Sequence, residues 1–209
     1  MKSLEGAREI QENISQESKN LFFSLMEGNV QKIGDKYTYQ THGGTELPIS
    51  AAASSIREMA PLQLLVSKRD ISKVSLLIEE PEAHLHPLKQ RLIEDAIVSM
   101  SLAGANMQIT THSDNFLRRL NDLIRLNILR KRMDKDKYQS FCEKYQLIPT
   151  LTLKSDIISA YFLDRRNNGS VSVTQQDVSK GIPFDTFTKI NGKPLNDSTM
   201  LWESIFDEE

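Results

Sequence analysis

The chain has 209 residues, of which 39% are hydrophobic and 26% charged, with a net charge of −2. That is the make-up of one ordinary soluble domain, or of one with a small appendage, and it gives no global electrostatic reason to expect nucleic acid or a membrane surface as partner. A single cysteine, Cys142, excludes an internal disulfide, the N-terminus has no signal-peptide pattern, and no apolar run approaches the ~18 residues of a membrane span, so a cytoplasmic protein is expected.

Residues 3–27 carry Ile10, Ile14, Leu21 and Leu25 at helical spacing among charged residues, with Ser3 as a candidate cap. Gly28-Asn29 is expected to end that helix. Tyr37–Thr41 and Glu46–Ile49 flank His42-Gly43-Gly44, which predicts a hairpin, with Pro48 confining its second strand to an edge or an end. Ser50 to Val66 is a small-residue loop running into a helix. Ser54 and Ser55 fall at its start, where amides and hydroxyls either cap the helix or bind an anion.

Val74–Ile78 is a short apolar run that ends in two acids, Glu79 and Glu80, and then Pro81. Such a run reads as a buried strand, and the C-terminal end of a strand is where open α/β sheets place ligands. Alternation along a strand would send the two carboxylates in different directions. A helix is expected from Pro87 to about Met100, with Leu88, Leu92, Ile93, Ala96, Ile97 and Met100 on its apolar face. After Ala103-Gly104-Ala105 comes a second strand, Met107–Thr111, ending in His112-Ser113. The segment up to His112 is thus strand–helix–strand with a parallel pair. Ser113 is the expected cap of a helix over Asp114–Leu126, with Phe116, Leu117, Leu120 and Ile124 inward.

Residues 127–147 are charged and helical in pattern, with a break expected near Asp134. Arg130-Lys131-Arg132 is most simply a solvated face. Ile157–Leu163 and Ser170–Thr174 surround Arg165–Gly169 as a second hairpin, and two short helical pieces are expected near Phe184–Ile190 and Asn196–Phe206. His84 and His86 form a His-x-His near two acids, but no third zinc ligand is suitably spaced. Cys142 is expected to be inert.

Three blocks stand in fixed order: Ala51–Leu62, Leu76–Glu80 with the loop to Pro87, and Ile109–His112. Together they resemble the C-terminal half of an ABC-type ATPase, most closely the AAA-family ATPases related to recombination, SMC and OLD proteins. In that resemblance the first block looks like the signature motif, Leu76–Glu80 the Walker B strand with its D-loop, and Ile109–His112 the switch-histidine strand. The implied fold is an α/β, parallel-sheet ATPase lobe with flanking helices and a C-terminal hairpin. The chain would be one lobe over 1–209: helix and hairpin at 1–50, the three motifs at 51–126, then charged helices, hairpin and C-terminal helices at 127–209.

The resemblance implies ATP and Mg²⁺ as ligands. It gives Glu79 the metal role, Glu80 the general-base role and His112 the γ-phosphate switch role. Ser54 and Ser55 would reach the ATP of a partner subunit in a head-to-tail dimer. Departures are a Glu as first acid, Ser55 or Ile56 where the signature has glycine, and His86 where transporters have the D-loop acid. No Gly-x-x-x-x-Gly-Lys-Ser/Thr occurs, Gly192-Lys193 being followed by Pro194. The chain is therefore expected to need a P-loop-bearing N-terminal lobe or subunit. DNA repair or phage defence is the family context, with Arg118, Arg119, Arg125, Arg130, Lys131 and Arg132 as a modest basic cluster. The competing expectation is a dimerisation or regulatory module that keeps the fold without binding nucleotide.

Overall fold

The structure, a computed structural model, describes residues 16–68, 70–166 and 168–183. The expected helices near Phe184–Ile190 and Asn196–Phe206 and the start of the first helix lie outside them.

Helix α1 occupies 16–26 within the described residues. The chain then turns at Glu27 (φ 54°) into strand β1, Gly28–Ile33, which pairs antiparallel with β2, Lys36–Thr41; β2 in turn pairs with β3, Glu46–Pro48. β1 corrects the sequence reading, in which Gly28-Asn29 only stopped a helix. Gly28 is needed there because a Cβ would run into the Gln40 carbonyl across the ladder and meet the Tyr39 hydroxyl at 2.8 Å. Helix α2, Ser54–Lys68, is tied to this sheet by the buried Gln63. Its carboxamide accepts from the Val30 amide at 2.8 Å and donates to the Gly28 carbonyl at 3.0 Å. Both ends of a buried amide are thus satisfied, which is the condition for burying it without loss.

The central unit is the strand–helix–strand expected from the pattern. β4 (Ser75–Glu79) and β5 (Asn106–Thr110) run parallel with Glu79 opposite Thr110, and α3, Pro87–Leu102, connects them. From Ile93 to Met100 every residue of α3 is buried, two acids included. Such a helix end is enclosed on all sides, so its polar groups need partners. Ser99 finds one in Ser18 of α1, at 2.7 Å.

Helix α4 runs from Asp114 to Arg132, past the expected end at Leu126, because the charged stretch after it continues the same helix. Ser113 caps it as expected, its hydroxyl accepting from the Phe116 amide at 3.2 Å. The break falls at Met133-Asp134, and Asp134 caps α5, Lys135–Lys144. The second hairpin is β6 (Ala160–Arg165) against β7 (Val171–Gln176).

The largest apolar cluster joins α1, β1, β2, α2, α3 and Phe116 of α4, with Leu76, Ile78, Met107 and Ile109 of the parallel pair packed against it. A second cluster holds α3 to α4 and to Leu151 and Leu153, and a third seats Cys142 (0% exposed) against Leu126 and Tyr138. Downstream of β7, Asn121 grips the chain through Ile182, accepting from its amide at 2.6 Å and donating to its carbonyl at 2.9 Å.

Candidate active site

The two parallel strands end side by side, and the residues just beyond each of them build the site. After β4 the Glu80 amide continues the ladder by donating to the Thr110 carbonyl at 2.9 Å. Glu80 itself adopts a left-handed backbone, φ 42°. A non-glycine residue there carries strain of about 1–3 kcal/mol, and such strain gathers where a side chain must be aimed. Glu79, the last strand residue, and Glu80 both border the same open cleft of about 550 Å³. The opposite wall is α2, through Glu58, Met59 and Leu62.

Across the strand ends, His112 Nε2 lies 3.6 Å from Glu80 Oε1, with both side chains open to solvent. That separation is longer than a hydrogen bond. The structure thus brings Glu80 and His112 together, with Glu79 next to Glu80 at the end of β4.

Ser54 and Ser55 do not line the cleft. They are the first two residues of α2, whose opening amides have no intrahelical carbonyl to bond. His86 turns out to be a helix cap: its Nδ1 accepts from the Leu88 amide at 3.3 Å, with Pro87 in the first helical position. His84 pairs with Glu58 instead, Nε2 to Oε1 at 3.5 Å. The two histidines are therefore differently engaged, and among the described residues no three His, Cys, Asp or Glu side chains are arranged so as to hold a metal ion by themselves.

The basic cluster is partly dismantled. The Arg119 side chain is only 10% exposed and forks onto Asp95 at 2.7 and 2.9 Å, so it is a structural pair and not a nucleic-acid contact. Arg118 and Arg125 face Asp114 and Asp122 on their own helix, at 3.5 and 3.1 Å. Arg130, Lys131 and Arg132 are exposed in the last turn of α4, where cations also suit the helix dipole.

Sequence reasoning passed over the layer beneath the site. The Thr111 hydroxyl donates to Glu82 Oε1 at 2.5 Å and accepts from the Ser113 amide at 3.0 Å. Glu82 is 5% exposed and belongs to the loop after β4, so this bond joins that loop to the end of β5. Glu94 lies buried nearby on α3. Burial first, and then the neighbouring Asp95 carboxylate, push its carboxyl up to about 8. A signal for Glu82 and Thr111 was present in principle, since both fall inside the blocks that carry the ATPase resemblance.

Three carboxylates (Glu58, Glu79, Glu80) and one imidazole (His84) line the cleft, and among the described residues no lysine or arginine does. A negative cleft of this kind holds phosphates only with a cation between. The parallel strands of this mixed α/β chain end in an acid pair beside an open cleft, with a histidine across the strand ends, and strand ends are where open α/β sheets bind ligands. Residues 2–117 match the family model described as an AAA ATPase domain, and the chain belongs to that family. The matched span contains Ser54, Ser55, Glu79, Glu80 and His112. Among solved structures, one reported under "Structural biochemistry of ATP-driven dimerization and DNA stimulated activation of SMC ATPases" is similar with a TM-score of 0.47 and 13% identity, over 88% of this chain and 91% of that one. No curated protein matches.

Proposed function

We propose that the chain supplies the water-activating part of an Mg²⁺-dependent ATP-hydrolysing site, the C-terminal lobe of an ABC/AAA-type ATPase. The observation that carries this reading is the meeting of Glu80 and His112 across two adjoining strand ends, with Glu79 and Glu80 bordering the open cleft. Glu80 acts as the general base. Its carboxylate takes a proton from the attacking water, and its left-handed backbone aims it across the strand end toward His112. His112 orients that carboxylate and meets the γ-phosphate as charge develops there. Glu79 fits Mg²⁺, which keeps several waters and binds through one or two carboxylates plus substrate phosphates, so a cage of three protein ligands is not needed. When bound, the metal would supply charge neutralisation to the phosphates.

Phosphates have no lysine to hold them in this cleft, and the sequence has no P-loop motif. A P-loop-bearing lobe or subunit supplies that half. Ser54 and Ser55, lying outside the cleft at the start of α2, are placed to offer amides and hydroxyls to the nucleotide of a second subunit in a head-to-tail dimer. The direct test is an ATPase assay of the chain mixed with a P-loop-bearing partner lobe. Activity in the mixture that is lost in Glu80→Gln supports the reading, and activity untouched by that change sinks it.

The same lack of a cationic group in the cleft favours a second reading, a regulatory or dimerising module that binds no nucleotide. Calorimetry separates the two, because saturable Mg-ATP binding in the mixture that Glu79→Ala weakens belongs only to the first. A role on DNA, in repair or defence, rests on Arg130, Lys131 and Arg132 alone, and the salt dependence of binding tests it.

A further inference from the structure

His112 stands inside a small ring of hydrogen bonds. The Thr111 hydroxyl accepts from the Ser113 amide at 3.0 Å, which closes a turn around His112. A hydroxyl has one proton to give, and Thr111 gives it to Glu82 Oε1 at 2.5 Å, so its lone pairs stay turned to the amide. Ser113 in turn caps α4 by accepting from the Phe116 amide at 3.2 Å. Glu80 is held as closely. Its amide donates to the Thr110 carbonyl at 2.9 Å, and its carbonyl accepts from the Ala83 amide at 2.9 Å, closing a turn that carries Glu82. The Thr111–Glu82 bond therefore links the turn that follows Glu80 to the turn that holds His112.

Glu82 is poorly suited to a merely stabilising role. It is 5% exposed, and its second oxygen, Oε2, has no hydrogen-bond partner among the described residues. A buried carboxylate with one orphaned oxygen loses more hydration than it regains, whereas an apolar side chain of the same size would lose none. What the carboxylate does supply is an acceptor aimed at one hydroxyl, on the residue next to His112.

We propose that Glu82 and Thr111 are positioning residues, whose hydrogen bond fixes the turn of His112 against the turn of Glu80 and so sets the 3.6 Å separation of His112 Nε2 from Glu80 Oε1. Both act through their neighbours, Glu82 two residues after Glu80 and Thr111 immediately before His112. What the separation serves rests on the ATPase reading. The positioning itself does not, and its first test uses no ATP.

That test is proton NMR on the full chain, whose four histidines each give a ring signal, assigned by single replacement. Glu80→Gln is expected to move the His112 signal in the wild-type background and to leave those of His42 and His86 in place. Thr111→Val and Glu82→Met remove the hydroxyl or the acceptor at nearly constant volume. In either background Glu80→Gln is expected to lose its effect on His112. Thr111→Ser and Glu82→Gln keep the bond and are expected to keep the effect, which separates the bond from loss of fold. An effect on His112 that is absent from wild type, or as large in Thr111→Val and Glu82→Met as in wild type, overturns the proposal. So does equal loss in Glu82→Gln and Glu82→Met. In the chain complemented with a P-loop lobe, kcat is expected to fall about tenfold to a hundredfold in Thr111→Val at unchanged KM and to recover in Thr111→Ser. A full rate in Thr111→Val with the NMR coupling lost would sink the ATPase role of the pair and leave the positioning standing.

Discussion

At the scale of single residues, burial decides what a charge does. Arg119 and Arg130 are alike in the sequence, yet one is locked in a shielded fork with Asp95 and the other is exposed at the end of α4. Removing one partner of a buried pair strands the other, which costs about 3–5 kcal/mol. Arg119→Ala is expected to lower the melting temperature by roughly 6–15 °C, and Arg119→Lys to recover little of it, since an ammonium cannot fork. A melting temperature within a degree of wild type would show the pair to be idle. Glu94 gives a pH dependence with a definite sign. Its ordinary value is 4.5 and its folded value about 8, so between them the folded chain keeps a proton that the unfolded chain has lost. Its contribution to stability is thus complete at acid pH, declines as pH rises from about 4.5 to about 8, and levels off above. Urea unfolding across that range is expected to show the slope in wild type and a flatter one in Glu94→Gln. None of this was legible in the sequence. Acids and arginines default to the surface, and only the enclosure of α3 from Ile93 to Met100 overrides that default.

At the scale of elements, the pattern located what depends on local signals. The acidic strand end, the crossover helix, the Ser113 cap and both hairpin turns follow from apolar runs, breakers and capping residues. β1 did not follow, because Gly28-Asn29 signals a helix stop and the strand after it is defined by its pairing with β2. A two-residue turn was in fact present at Gly34-Asp35, with Gly34 at φ 59°, and is the one cue that could have revealed it. The tight place in this sheet is Gly28. Gly28→Ala puts a methyl against the Gln40 carbonyl and the Tyr39 ring, so the ladder must shift. A loss of about 1–3 kcal/mol is expected in denaturant unfolding, whereas an unchanged midpoint would mean that β1 and β2 separate freely. The left-handed Glu80 was equally hidden, since nothing in a Glu-Glu-Pro sequence announces a positive φ. That backbone follows directly on β4, where Glu79 and Glu80 border the cleft.

At the scale of the whole molecule, one kind of group is missing from the cleft. Among the described residues its wall offers carboxylates and an imidazole, with no lysine or arginine to cradle phosphates. On the proposed reading another lobe supplies the phosphate-holding groups, in a reaction where positioning and neutralisation do most of the catalysis. DNA binding, if the exposed Arg130, Lys131 and Arg132 serve it, is expected to weaken with salt at about 0.9 log units per log unit for each phosphate contacted, and to be lost on changing all three to Glu. Fluorescence anisotropy on duplex DNA checks this, and a salt-insensitive affinity would exclude the contact. The central claim, that Glu80 and His112 activate water at this cleft, is tested most directly by steady-state ATP hydrolysis in the chain complemented with a P-loop lobe, comparing wild type with Glu80→Gln and His112→Ala. The account predicts that kcat falls by about 10²–10⁴ in the first and about 10²–10³ in the second, with Mg-ATP still bound. Hydrolysis at the wild-type rate in Glu80→Gln would contradict it.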